Sequence, residues 1–189
     1  MIRIVPSDEV PWEDVEAIFD SSEPSKCHCQ RYKVKGWFWR DSTRDERAEA
    51  HSSQSASGSG LVAYVDGEPA GWVAVEPRSA YAKLLSMPIP WKGRPGEDRD
   101  DDGVWAVTCF VVRKGFRRKG LTYELAAATV EHARSHGARA VEAYPMVADP
   151  ANTVTWGELH VGARQVFEEA GFVQVTHPTK RRFVMRVDF

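Results

Sequence analysis

From Val104 to Val112 the chain is apolar on both alternating residue sets, Val104, Ala106, Thr108, Phe110 and Val112 against Trp105, Val107, Cys109 and Val111. A strand buried on both faces lies in the interior of its sheet. Downstream the period changes to that of a helix. Leu121, Leu125, Ala128 and Thr129 share one stripe, Glu124, Glu131 and Arg134 lie off it, and Gly137 supplies a C-terminal cap. Ala140 to Tyr144 is predicted to be the next strand, parallel to the first because a helical crossover separates them. A further helix is expected over about Glu158 to Ala170, with Leu159, Ala163, Val166 and Ala170 on one face. Phe172 to Thr176 and Arg182 to Val187 read as a closing hairpin turned at His177-Pro178-Thr179.

The N-terminal half is less periodic. Ile2 to Val5 is a short strand, Ser7 or Asp8 can act as a cap after it, and Pro11 opens a helix running to about Phe19. Pro24 to Arg40 reads as irregular and aromatic. Thr43-Arg44-Asp45-Glu46 is a capping box for a second helix, which gives way to a flexible connection from Ser52 to Gly60. Leu61 to Val65 and Ala70 to Val75 form a hairpin around Asp66-Gly67-Glu68. Within the long segment from Pro77 to Gly103, Tyr81 to Leu85 is a short helical candidate, and Glu97 to Asp102 reads first as a solvated acidic run. These elements predict an α/β (α+β) fold, a mixed central sheet of about six to seven strands flanked by about four helices.

Between the buried strand and its helix lies Arg113-Lys114-Gly115-Phe116-Arg117-Arg118-Lys119-Gly120-Leu121-Thr122. The first amides of a helix have no intrahelical partner and carry the positive end of the dipole, so this turn reads as a phosphate site. Gly120 permits close backbone approach, and Arg117, Arg118 and Lys119 surround it with charge, the arginines able to fork onto phosphate oxygens.

The segment from Phe110 to Thr122 resembles the acyl-coenzyme A binding motif of the GNAT acetyltransferase superfamily, Gln/Arg-x-x-Gly-x-Gly/Ala after a strand, here Arg117-x-x-Gly120-x-Thr122. Thr122 departs from the small residue usual at the last position. Ala163 to Phe172, with Phe167 and Gly171-Phe172, is similar to the family's later helix, so the resemblance covers the chain from Val104 onward. It implies a single GNAT-like domain over residues 1–189, with 1–103 the acceptor-side half and 104–189 the acetyl-CoA-binding half. It implies acetyl-CoA as cosubstrate, held by Phe110, Val111, Val112, Arg117, Arg118, Lys119, Gly120, Leu121, Thr122 and Phe167. The acceptor would be the primary amine of a small molecule or peptide, and the resemblance leaves room for a homodimer.

Composition narrows the alternatives. The 189 residues carry 25 Lys and Arg against 27 Asp and Glu, so no whole-molecule field draws the chain to nucleic acid or a membrane. The basic turn alone, without a basic helix face, is a poor nucleic-acid site. No apolar run comes after Met1-Ile2-Arg3 and no stretch reaches the length of a membrane span, which predicts a cytoplasmic protein. Cys27, Cys29 and Cys109 make no disulfide framework, and Cys27-His28-Cys29 lacks the second ligand pair that zinc wants, so free thiols and no metal are expected.

Transfer to an amine needs a base for the amine proton, a donor for the oxyanion and help for the departing thiolate. In the family the oxyanion donor is a backbone amide of the central strand, the place of Phe110 to Val112 here. The family's usual acid and base are absent, since Phe167 stands for the tyrosine of the later helix and Ala106 for the glutamate of the central strand. Tyr144 is the candidate replacement acid. Glu142, near the end of a parallel strand, and His160, which titrates in the right range, are the candidate bases. Each has a plainer reading: Phe167 as core packing, Glu142 as a surface strand residue, His160 as an exposed first-turn histidine. Loss of both usual groups also admits a non-catalytic coenzyme A sensor or interaction module. Tyr32, Trp37, Phe38, Trp39 and Trp91 could offer ring faces to a cationic amine, with the acidic run raising its local concentration, or simply fill a core.

Overall fold

In the computed structural model, which describes residues 1–147, 153–155 and 157–189, the chain opens with β1 (Ile2–Pro6) and α1 (Trp12–Phe19). Two short helices, α2 (Gln30–Lys33) and α3 (Gly36–Asp41), precede α4 (Arg44–Ser55), and the hairpin β2 (Gly60–Val65) and β3 (Glu68–Pro77) comes next. Then come α5 (Ala82–Ser86), β4 (Val104–Val112), α6 (Leu121–Ser135), β5 (Ala140–Ala143), α7 (Arg164–Glu169), β6 (Val173–Thr179) and β7 (Arg182–Asp188). The seven strands form one sheet in the order β1-β2-β3-β4-β5-β7-β6. Only β4 and β5 run parallel. Strand β4 is central, as its two apolar faces require.

One face of the sheet packs on α6 and α7 through Val73, Val107, Phe110, Leu125, Val141 and Phe167. The other carries α1 against Val62, Trp72 and Val111, and next to that the cluster of Tyr32, Tyr81, Leu84, Ala106, Tyr144 and Val184. Burying each large side chain of this kind contributes roughly 1.5–3 kcal/mol, so the two-sided core fixes β4 within the sheet.

Local chemistry accounts for several boundaries. Thr43 Oγ1 accepts from the Glu46 amide and Glu46 accepts from the Thr43 amide, completing the capping box of α4. Asp66 and Gly67 both have positive φ, as the two-residue hairpin turn demands. The basic turn runs through a single 3-10 turn, Lys114–Phe116, before α6.

Five expectations are corrected. Ser52 to Ser55 belong to α4, because His51 and Ser55 are buried and Ser7 Oγ donates to Ser55 O. Pro24 to Arg40 is built of a 3-10 turn and two short helices, with left-handed His28 and Cys29 bending the chain between them. The last hairpin turns at Lys180-Arg181, and Pro178 is accommodated because β6 is an edge strand. The acidic run is partly drawn into the fold: Glu97 meets Arg78, Arg94 and Arg186, and Asp101 meets Arg139. The helix expected from Glu158 to Ala170 is two elements, a 3-10 turn Glu158–Val161 and α7, separated by Gly162 at φ +85°.

Candidate active site

Strand β5 pairs with β4 only from Val104↔Ala140 to Val107↔Ala143. Beyond Ala143 the chain diverges, and Met146 bridges instead to Ala163 and Arg182. Among the described residues the second half of β4 thus has a free edge, and a cavity of about 1130 Å³ opens along it. The Arg113 amide donates inward to Ala70 O at 2.9 Å, so strand alternation turns the amides of Val112 and Phe110 toward the free edge. Consistently, Val112 O accepts from Arg117 Nε at 3.0 Å on that same side.

At one end of the cavity α6 begins. Gly120 is its N-cap at φ +76°, no side chain caps the helix, and a Cβ added at Gly120 would meet nothing within 4 Å. The first-turn amides therefore open into the cavity without competition from a capping side chain. Phe110, Val111, Val112, Arg117, Arg118, Gly120, Leu121 and Thr122 all line it. Of the expected cofactor residues, two lie elsewhere. Lys119 stands with its ammonium over the Phe116 ring, and Phe167, fully buried, packs between Phe110 and Phe172 beneath the cavity wall.

His160 also lines the cavity. Its Nδ1 lies 2.7 Å from Gly157 O, an atom that can only accept, so the proton of the neutral ring sits on Nδ1 and Nε2 is left as the acceptor. Nε2 is buried and has no hydrogen-bond partner among the described residues. Burial lowers the pKa of the ring, against the hydrogen bond to Gly157 O, which raises it. Two residues on, Gly162 lets the chain pass close to the core: a Cβ there would lie 2.6 Å from Phe167 and 3.1 Å from Phe110.

A family model described as the Acetyltransferase (GNAT) family matches residues 12–172. The chain belongs to the GNAT acetyltransferase family. Solved structures agree on the fold. An N-acetyltransferase from Staphylococcus aureus Mu50 is 12% identical with a TM-score of 0.59, over 100% of this chain and 98% of that one. The aminoglycoside acetyltransferase AAC(6')-Ib, in complex with coenzyme A and kanamycin, is 17% identical at TM-score 0.58, over 100% and 95%. The PaiA N-acetyltransferase of Thermoplasma acidophilum, in complex with coenzyme A, is 10% identical at TM-score 0.57, over 100% and 99%. A search of curated proteins finds no match.

The GNAT fold of this chain gathers the basic turn and His160 around one cavity and leaves Glu142 and Tyr144 outside its lining. Glu142 is fully buried and meets Arg78 at 3.1 Å, Arg186 at 2.9 Å and also Arg94. Burial alone would raise its pKa, but the hydrogen bond and charge of Arg94, with Arg78 and Arg186, bring it below the ordinary carboxylate value. Tyr144 is buried too, donating to Glu142 Oε2 at 2.9 Å. Burial and the Glu142 charge push its phenol well above the usual range.

The aromatic residues also differ from the sequence reading. The Trp39 ring is already faced by Arg31 and Arg47 at 5.5 and 5.6 Å, and the Trp91 ring by Arg78 and Arg99 at 4.7 and 5.0 Å. Trp37 and Phe38 stack on each other at the surface. Sequence reasoning missed Arg31, Cys27 and Gly162 at the cavity. A glycine inside the helical stripe of Leu159, Ala163 and Val166 was the one local signal; nothing local marks Arg31.

Proposed function

We propose that this protein is an N-acetyltransferase that moves the acetyl group of acetyl-CoA to the primary amine of a small molecule or peptide. One observation carries the reading: a single cavity is lined both by an uncapped, arginine-flanked helix N-terminus and by a histidine whose buried Nε2 is an unpartnered acceptor, along the unpaired edge of the central strand. Bound coenzyme A in two of the similar structures supports the same ligand here.

The residues present fit that ligand. Gly120 leaves open space in front of the first-turn amides, which with Arg117 and Arg118 would hold the pyrophosphate. Acetyl-CoA, when bound, supplies an acetyl group activated as a thioester. The outward amides of Phe110 and Val112 are fixed donors in a partly enclosed site, suited to stabilise negative charge on a carbonyl oxygen. His160 Nε2 takes the proton from the acceptor amine, directly or through a water. Glu142 is a structural anchor in this reading, because three guanidinium groups hold it as a carboxylate. Tyr144 and Phe167 provide no acid at the cavity, which a thiol of pKa near ~8.5 tolerates better than an alcohol would.

The test is calorimetry of acetyl-CoA binding together with thiol release in the presence of an amine panel. Binding and amine-dependent release support the proposal. Binding without release for any amine would favour a coenzyme A-binding module.

A further inference from the structure

Beside the cavity lies a second, open hollow of about 640 Å³, and Arg31 lines both. Its walls are Tyr32, Trp37 and Trp39, and its charged groups are Arg31, Arg40 and Lys83, with no carboxylate among the described residues that line it. None of these three cations forms an ion pair with a described carboxylate. The Tyr32 ring lies 6.1 Å from that of His160, so the hollow adjoins the wall that holds the buried, unpartnered Nε2. Among the described residues the only carboxylate lining the main cavity, Glu158, is taken up by the Thr155 amide and hydroxyl and by Arg181.

We propose that this hollow is the acceptor subsite and that it takes an amine carrying a carboxylate on an apolar or aromatic body, the carboxylate meeting Arg31, Arg40 and Lys83 while the amine reaches His160. This rests on the acetyl-transfer reading above. Three cations around aromatic walls favour an anion held against a flat apolar group, arginine being suited to fork onto a carboxylate. The same charges repel a polycation, so an aminoglycoside such as the kanamycin bound by AAC(6')-Ib is a poor acceptor here.

The test is calorimetry in the presence of coenzyme A with product analogues, N-acetylphenylalanine and N-acetylglycylphenylalanine against their methylamides. Thiol release is measured in parallel with phenylalanine, glycylphenylalanine, their methylamides and kanamycin. At least tenfold tighter binding of either carboxylate than of its amide is expected, the better of the two telling a free amino acid from a peptide. The Arg40→Gln, Lys83→Gln double variant should lose most of that preference while its coenzyme A affinity stays unchanged. Equal or tighter binding of the methylamides, or a preference unaltered in the double variant, overturns the subsite. Carboxylate preference in binding with no thiol release from any acceptor would leave the subsite standing and overturn the transfer reading.

Discussion

Arg78 donates to Glu142 at 3.1 Å with both side chains fully buried, which ties the turn after β3 to the strand β5 across the sheet. Arg94 and Arg186 complete the enclosure of the carboxylate, and Glu97 meets all three guanidinium groups. Removing one partner of a buried pair leaves charge without compensation, typically at a cost of about 3–5 kcal/mol. Glu142→Gln is therefore expected to lower the unfolding free energy by a few kcal/mol, on the order of that range, while kcat per folded molecule stays within a few-fold of wild type. Urea unfolding and thiol-release assays check both; a stable variant without turnover would return Glu142 to the chemistry.

Gly162 sits at φ +85° with Phe167 and Phe110 crowding the place of a Cβ. Gly162→Ala must strain the backbone and push aside two core rings, a change expected to destabilise by about 1–3 kcal/mol. It should also shift His160 and lower kcat more than it weakens acetyl-CoA binding. Chemical unfolding and steady-state kinetics test the pair of effects, and an unchanged kcat would detach Gly162 from His160 positioning.

Gly120→Val fills the open space before the α6 amides and places a branched residue at φ +76°. Acetyl-CoA affinity measured by calorimetry should fall at least about tenfold, a single-site loss of ~1.4 kcal/mol or more. Wild-type affinity would remove the turn from the cofactor site.

His28 and His51 are fully buried, their Nδ1 atoms 3.4 Å apart, among Phe19, Trp72 and Trp12. Burial lowers His28 to about 4, with the Arg44 and Arg47 charges adding to the drop and Asp20 and Asp45 opposing it. Burial lowers His51 to about 3, with His28 and Lys33 acting in the same direction. Both rings stay neutral in the native state, whereas the unfolded chain takes up protons below about 6.5. Their contribution is full above that pH and is lost as pH falls toward about 4 for His28 and about 3 for His51. Unfolding free energies at pH 7.5 and pH 5 should differ by on the order of 1–2 kcal/mol for each ring. No difference would contradict their neutral burial.

The sequence revealed the elements whose periodicity reports burial: β4, the Leu121 and Leu125 stripe of α6, the capping box at Thr43 and the turn at Asp66-Gly67. It also exposed the basic strand-to-helix turn, because that site is built from consecutive residues. The break at Gly162 had the glycine itself as its one local mark, outweighed by the helical spacing that Leu159, Ala163 and Val166 keep across it. Glu142 looked like a site acid from its place near a strand end. Its partners come from positions 78, 94 and 186, and contacts so distant in the chain leave no local pattern. Arg31 escaped for the same reason, brought to the cavity by α2 after a bend at His28 and Cys29 that no hydrophobic period marks.

The most direct measurement is the pH dependence of kcat/KM for wild type and His160→Gln with an accepted amine. Burial lowers the His160 pKa, so the wild-type rate should rise with pH through an inflection below about 6.5 as Nε2 becomes free to accept a proton. In His160→Gln that inflection should vanish and the plateau should fall by about 100- to 10,000-fold, with acetyl-CoA affinity unchanged. A variant with the wild-type profile and rate would contradict His160 as the base.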